Sequence, residues 1–220
     1  MDAPPLHGLD IETDTEAGGL DPRVARIVAV AVASESSTRV FDGDETELLR
    51  SLDLHIAALP PGVLVTWNGG AFDLPFLEDR ATACGVRLGL RLTLDRNIWR
   101  RGEPLPGHDG AYRAAWYGNT HLDAYQAYKA VVRQADPDMS CGLKSLAKRL
   151  GYDPVEVDAS HLHELTPSTI RGYVASDAEV TRTMAARMWT SASGLRDDRT
   201  VTRASGGQQL LDLDGVLPSL

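Results

Sequence analysis

Asp10 and Glu12 stand two residues apart at the end of the first apolar run, Leu6 to Thr13. In a strand, whose side chains alternate between faces, that spacing puts both carboxylates on one face, roughly 7 Å apart along the backbone, with Leu9 and Ile11 on the other. Half-buried carboxylates this close repel each other and want a cation, for which a divalent metal is the usual remedy. Asp73 follows Thr66 to Phe72, where an apolar run gives way to a helix, the place where α/β sheets build sites. Asp177 lies four residues after Tyr173, which stacks the two on one helical face beside an apolar stripe of Ile170, Val174, Ala178 and Met188. Each group taken alone also has a plainer reading: Asp-x-Glu as a solvated turn, Asp73 as a helix-start residue, Tyr173 and Asp177 as an ordinary helix surface.

The elements that must position these residues alternate between strand and helix. Strands are expected at Leu6 to Thr13, Ala25 to Ala33 and Thr38 to Asp42, the last two joined by the Ser34-Glu35-Ser36-Ser37 turn as a hairpin. Leu48, Leu49, Leu52, Ile56 and Leu59 recur at helical spacing over Glu45 to Leu59, and Pro60-Pro61-Gly62 stops that helix. Val63 to Trp67 is continuous and apolar, as a central parallel strand should be, and a helix opens at Asp73. The middle of the chain is less regular. Arg91 to Arg101 is expected to be extended, Gly102 to Gly110 a loop, and Ala124 to Gln134 and Ser140 to Leu150 helices. Thr166-Pro167 opens a long helix to about Trp189. Residues 1–190 are thus expected to form one α/β domain, a mixed β-sheet flanked by helices, and 191–220 a polar tail, looped or weakly docked through Gln209 to Leu213. A flavodoxin-like fold loses ground because Asp14 to Gly19, after the first strand, is acidic where a phosphate loop would be glycine-rich.

Composition narrows the setting. The charge of −9, from 22 Lys and Arg against 31 Asp and Glu, argues against broad binding of duplex nucleic acid. It leaves room for a nuclease, since bound cations reverse the local potential of a carboxylate site. No apolar run reaches membrane-spanning length, and nothing after Met1 reads as a signal peptide. Cys84 and Cys141 have neither disulfide nor metal-ligand spacing, so a cytoplasmic protein without membrane contact is expected.

Three segments in order resemble the DEDD superfamily of 3'-to-5' exonucleases, in its tyrosine-containing branch, and most closely the proofreading domain of family B DNA polymerases. Leu9-Asp10-Ile11-Glu12-Thr13 resembles its first motif, Asn68 to Leu77 its second and Tyr173-Val174-Ala175-Ser176-Asp177 its third. His121-Leu122-Asp123 and Gly142 to Gly151 resemble the stretch between the last two. The resemblance covers about residues 6 to 188. It implies a ribonuclease H-like fold and two divalent ions, magnesium or manganese (Mg2+ or Mn2+), held by Asp10, Glu12, Asp73 and Asp177. Tyr173 would orient the attacking water. Hard oxygen ligands suit such ions, and a pair about 3.5–4 Å apart can activate water on one side of a phosphodiester and stabilise the leaving 3'-oxygen on the other.

By matching position, Asn68 and Phe76 would meet the terminal nucleotides, Phe76 by stacking, and Thr13 would line their pocket through its nearness to the metals. Phe76 is equally readable as core. Arg91, Arg96, Arg100, Arg101 and Arg113 are candidates to track the strand or plain solvated residues. Asp123 is read as supporting structure or a helix start, Asp14 and Glu16 as solvent-facing, and the six histidines show no zinc-like spacing. The expected partner is single-stranded nucleic acid with a free 3' end, DNA in preference, within a larger repair or replication assembly. The competing readings are an inactive nucleic-acid-binding module of the same fold and a ribonuclease H-like endonuclease.

Overall fold

The computed structural model describes residues 4–17, 20–98, 102–135 and 138–197. Seven strands form one sheet: β1 (Leu6–Thr13), β2 (Ile27–Ala33), β3 (Thr38–Asp42), β4 (Val63–Thr66), β5 (Leu90–Asp95), β6 (Ala111–Trp116) and β7 (Asn119–Asp123), in the order β3-β2-β1-β4-β7-β6-β5. β1, β4 and β7 run parallel through the centre, and antiparallel strands flank them on both sides. The helices are α1 (Glu45–Ala58), α2 (Asp73–Ala83), α3 (Ala124–Ala135), α4 (Leu143–Arg149) and α5 (Pro167–Asp197), with a 3-10 turn at Ala159–Glu164 before α5.

Alternation along β1 divides its work. Leu9 and Ile11 enter the larger core beneath α1 and α2, beside Val30 and Val32 of β2. On the opposite face Ala29, Ala31 and Ala33 of β2 pack with Val174 and Ala178 of α5. Small residues at that layer allow a close approach, and at Gly8 it becomes extreme. A Cβ there would stand 2.1 Å from the Ala178 carbonyl oxygen and 2.9 Å from the Arg182 Cβ. Glycine in a strand interior is the residue that permits such backbone proximity, and the seat it provides sets α5 over Asp10 and Glu12. Gly8→Ala should therefore cost about 3 kcal/mol, the upper part of the overpacking range, because helix backbone cannot rotate aside. Urea unfolding of the two proteins measures it; an unchanged midpoint would mean α5 is not seated through this contact.

Four sequence expectations change. The irregular middle contains a hairpin, β6 and β7, closed by Tyr117-Gly118, with Trp116 paired to Asn119 and Tyr117 left-handed at φ 53°. The ends of the expected elements also shift: β2 starts at Ile27, α4 at Leu143, and α5 continues past Trp189 to Asp197. Polar composition after Ser191 does not by itself end a helix, and no proline interrupts the segment. Residues 198–220, including Gln209 to Leu213, lie outside the described residues. Among the described residues no helix is long and apolar enough to cross a membrane.

Candidate active site

β1 is longer than its neighbour: β4 pairs only with Leu6, His7 and Gly8. Beyond Gly8 the backbone edge on that side is open, and the first residue of α2 fills it, Asp73 accepting a hydrogen bond from the Ile11 backbone. The turn that brings Asp73 there is itself tied down. Asn68 adopts a left-handed conformation (φ 67°), and Asp123 Oδ1 accepts from the Asn68 and Tyr125 backbone N–H groups at 2.9 and 3.1 Å. Asp123 Oδ2 accepts from the Gly70 N–H at 3.3 Å. Asp123 is thus the helix-start residue of α3 and the anchor of the segment carrying Asn68 to Asp73.

From the opposite face α5 lowers Tyr173 and Asp177 onto β1. Asp10, Glu12 and Asp177 each offer a carboxylate oxygen, all within 4.8 Å of one another. It is the one His, Cys, Asp and Glu group of this kind found among the described residues. Asp73 stands outside that trio yet is close enough to act on it electrostatically. Burial, then the charges of Glu12, Asp73 and Asp177, hold the Asp10 carboxyl well above its ordinary range. Burial followed by Asp177 and Asp73 pushes Glu12 up to about 8, and burial takes Asp73 to about 7. Asp177 is raised by burial and held back by Lys144. The Tyr173 hydroxyl, raised by burial and by Glu12, Asp177 and Asp10, stays protonated and able to donate.

Lys144 is the functional residue that sequence reasoning passed over. Its ammonium donates to Asp177 Oδ1 and to the Val155 carbonyl oxygen, and it lies 4.1 Å from the centroid of the Tyr173 ring. It offsets part of the negative charge of the crowded carboxylates through its contact with Asp177. The one signal the sequence held was its place in Gly142 to Gly151, the stretch that resembles the segment between the second and third motifs.

The crowding has a pH signature. The unfolded chain releases the protons of Glu12 and Asp73 near the ordinary carboxylate range, whereas the folded metal-free chain keeps them to about 8 and 7. Folded protein then binds more protons than unfolded, so the stability these groups contribute below that range is lost as pH rises through their folded values. His121, lowered to about 4 by burial, acts oppositely only below the ordinary histidine value. Between about pH 6.5 and 8 the carboxylates dominate. The metal-free chain should lose about 2 kcal/mol in total across that window, most of it through Glu12. Urea unfolding in EDTA at both ends measures this; stability constant or rising would refute the crowding.

The other expected site residues divide. Thr13 is buried next to a β-bulge at Glu12/Thr13, on the wall of a cavity of about 470 Å³ beside the start of α5. Asn68 lines a second cavity of about 470 Å³ with Phe72 and the 102–106 loop, and its Oδ1 is buried without a partner. Phe76 is corrected: at 0% exposure, deep in the larger core, it has no surface on which a base could stack. Phe72, one turn earlier and half-buried, stands against it with ring centroids 5.3 Å apart and reaches that cavity instead. Arg91 and Arg96 are exposed, Arg113 is ion-paired with Asp95, and Arg100 and Arg101 lie outside the described residues. Asp14 faces away from the cluster, bridging to Arg26 and capping the turn at Glu16.

A mixed sheet in this order, with acidic side chains at the carboxyl end of its central strand and on a closing helix, defines a ribonuclease H-like fold. The match to the RNase_H superfamily over residues 10–163 places it: the chain belongs to that superfamily, as a proofreading-exonuclease-like DEDD domain. It is 35% identical over 142 residues to a catalytic subunit of DNA polymerase epsilon from Arabidopsis thaliana. It is 32% identical over 142 residues to the corresponding polymerase epsilon chain of Schizosaccharomyces pombe. Each match takes in 63% of this chain and 6% of the relative, so the chain spans a small fraction of these proteins. The family B DNA polymerase of Pyrobaculum calidifontis shares the fold, with a TM-score of 0.66 and 23% identity over 87% of this chain and 25% of the polymerase. The kinship supports a nuclease of the ribonuclease H-like fold.

Proposed function

We propose that the chain is a divalent-metal-dependent 3'-to-5' exonuclease that hydrolyses single-stranded nucleic acid, DNA in preference, releasing nucleoside 5'-monophosphates by a two-metal mechanism. One observation carries the reading: the convergence of Asp10, Glu12 and Asp177 within 4.8 Å, with Tyr173 one helical turn from Asp177. The donor set suits magnesium or manganese, being wholly carboxylate oxygen. The crowding itself supports a bound cation, since only Lys144 offsets the trio's negative charge through a direct contact among the described residues.

Asp10, Glu12 and Asp177 would hold the ions, with Asp73 completing the charge around them. When bound, the ions supply a more acidic water and stabilise the developing charge on the phosphodiester and its leaving oxygen. The neutral Tyr173 hydroxyl donates a hydrogen bond that orients the attacking water. Lys144 fixes Asp177 and the Tyr173 ring while adding positive potential where a phosphate arrives. Asn68 and Phe72 would offer an amide and an aromatic face to the terminal nucleotides from one cavity, and Thr13 would line their pocket from the other. Residues 1–190 serve as the exonuclease domain and 191–220 as its appendage. The polymerase relatives support work within a larger replication assembly.

Single strands labelled at the 3' end or internally distinguish the readings. Immediate release of labelled mononucleotide from the 3' end, abolished by EDTA and restored by magnesium or manganese, is expected. Internal fragments would indicate an endonuclease, binding without product an inactive module, and full activity in chelator would exclude a metal mechanism.

A further inference from the structure

At the end of β1 opposite the carboxylates lies a cavity of about 570 Å³. The turn between β2 and β3, the end of α1, the lead into β1 and one flank of α5 enclose it, and its wall shares no residue with the candidate active site. Within a chain of charge −9 its wall sets one guanidinium, Arg182, and two neutral imidazoles, His7 and His55, against a single carboxylate, the exposed Glu35. Arg39 adds to the positive side, since burial first, then Arg39 and His7, depress the His55 pKa.

Arg182 is the informative residue. Arg23, Arg26, Arg50, Arg80, Arg113 and Arg171 each pair with a carboxylate, whereas Arg182 has no ion pair among the described residues. Its Nε–H is enclosed and has no acceptor among the described residues, so a ligand would meet its terminal nitrogens. Enclosed donors are normally satisfied, and an exception calls for an explanation. A guanidinium fork is suited to phosphate oxygens.

The rest of the wall is arranged to help. His7 is buried, with Nε2 3.1 Å from the Pro60 carbonyl oxygen and Nδ1 3.0 Å from the Ser34 hydroxyl. The carbonyl can only accept, so Nε2 carries the proton and the Ser34 hydroxyl donates to Nδ1. That bond fixes the turn presenting Ser36 and Ser37 at the cavity mouth. Pro4, Pro5, Leu6 and Leu59 supply apolar surface beyond these polar groups. The volume falls within the range of small-molecule sites and is several times what a bare phosphate fills.

We infer that this cavity binds a nucleoside monophosphate, its phosphate against Arg182 and the Ser34–Ser37 turn and its base against the prolines and Leu59. Inorganic phosphate shares the polar half of that chemistry, so the test carries both.

The full chain is titrated in EDTA, where the four-carboxylate site has no cation to attract phosphate. The probes are deoxyadenosine 5'-monophosphate, deoxyadenosine and inorganic phosphate, at constant ionic strength in chloride, followed by NMR at the backbone amides of 34–37 and the rings of His7 and His55. Saturable shifts with the monophosphate, weaker ones with phosphate and none with the nucleoside are expected. Arg182→Gln should weaken binding at least about 10-fold, the loss of one charge-assisted contact. Ser37→Asp, in an exposed turn where folding is not at stake, should weaken it by repulsion. Equal affinity for phosphate and the monophosphate would overturn the nucleoside assignment. Absence of saturable shifts at these residues, or affinity unchanged in both variants, would overturn the site.

Discussion

Asp10→Asn should lower nuclease turnover by at least about 10³-fold while the chain remains folded. Asp10 lies at the centre of the cluster, since Glu12, Asp73 and Asp177 all raise its pKa. Replacing it with an isosteric amide removes a hard anionic ligand from a site whose ions would supply several kcal/mol of transition-state stabilisation, and about 4 kcal/mol corresponds to the stated loss. Folding should survive, and the metal-free protein should become more stable near pH 8 because one member of a repelling set is gone. Asp177→Asn should behave alike, though it also releases Lys144. Mononucleotide release from a 3'-labelled strand measures turnover, and circular dichroism with urea unfolding measures the fold. Unfolding of both variants would make the carboxylates a structural cluster; near-normal turnover would end the metal-site reading.

Tyr173→Phe should slow the chemical step by roughly 10²- to 10⁴-fold, the range for a positioned group acting on a proton or water. The substitution is clean here. The ring stays, so the Lys144 ammonium 4.1 Å from its centroid keeps its aromatic partner, and all four carboxylates are untouched. Only the hydroxyl goes. Single-turnover rates at saturating magnesium should fall while binding of a single-stranded oligonucleotide in calcium is unchanged. Equal rates, with a stability loss of about 1 kcal/mol from one hydrogen bond, would give the tyrosine a packing role.

Much of this was legible because it is periodic. The alternation in Leu6 to Thr13 placed Asp10 and Glu12 together, and the observed register keeps Leu9 and Ile11 on the opposite, core-facing side. The four-residue interval between Tyr173 and Asp177 likewise survived folding. What escaped depends on partners distant in sequence. No local pattern says that Lys144 meets Asp177 across 33 residues, or that Gly8 receives the backbone of Ala178. The β6–β7 hairpin was hidden because Ala111 to Trp116 mixes exposures instead of alternating cleanly. Phe76 was misplaced for a related reason: motif position cannot decide between two aromatic residues one turn apart, and only packing shows that Phe72 keeps a face outward.

The seating of α5 across Gly8 also bears on how the protein is made. Ribosomes deliver the amino-terminal strands first, so Asp10, Glu12 and Asp73 emerge well before Tyr173, Asp177 and the helix that carries them. A growing chain therefore holds most of its acidic residues without the element that gathers them into one cluster. The nuclease capacity proposed above should therefore appear only with the docking of α5, after the strands that carry the other carboxylates have formed.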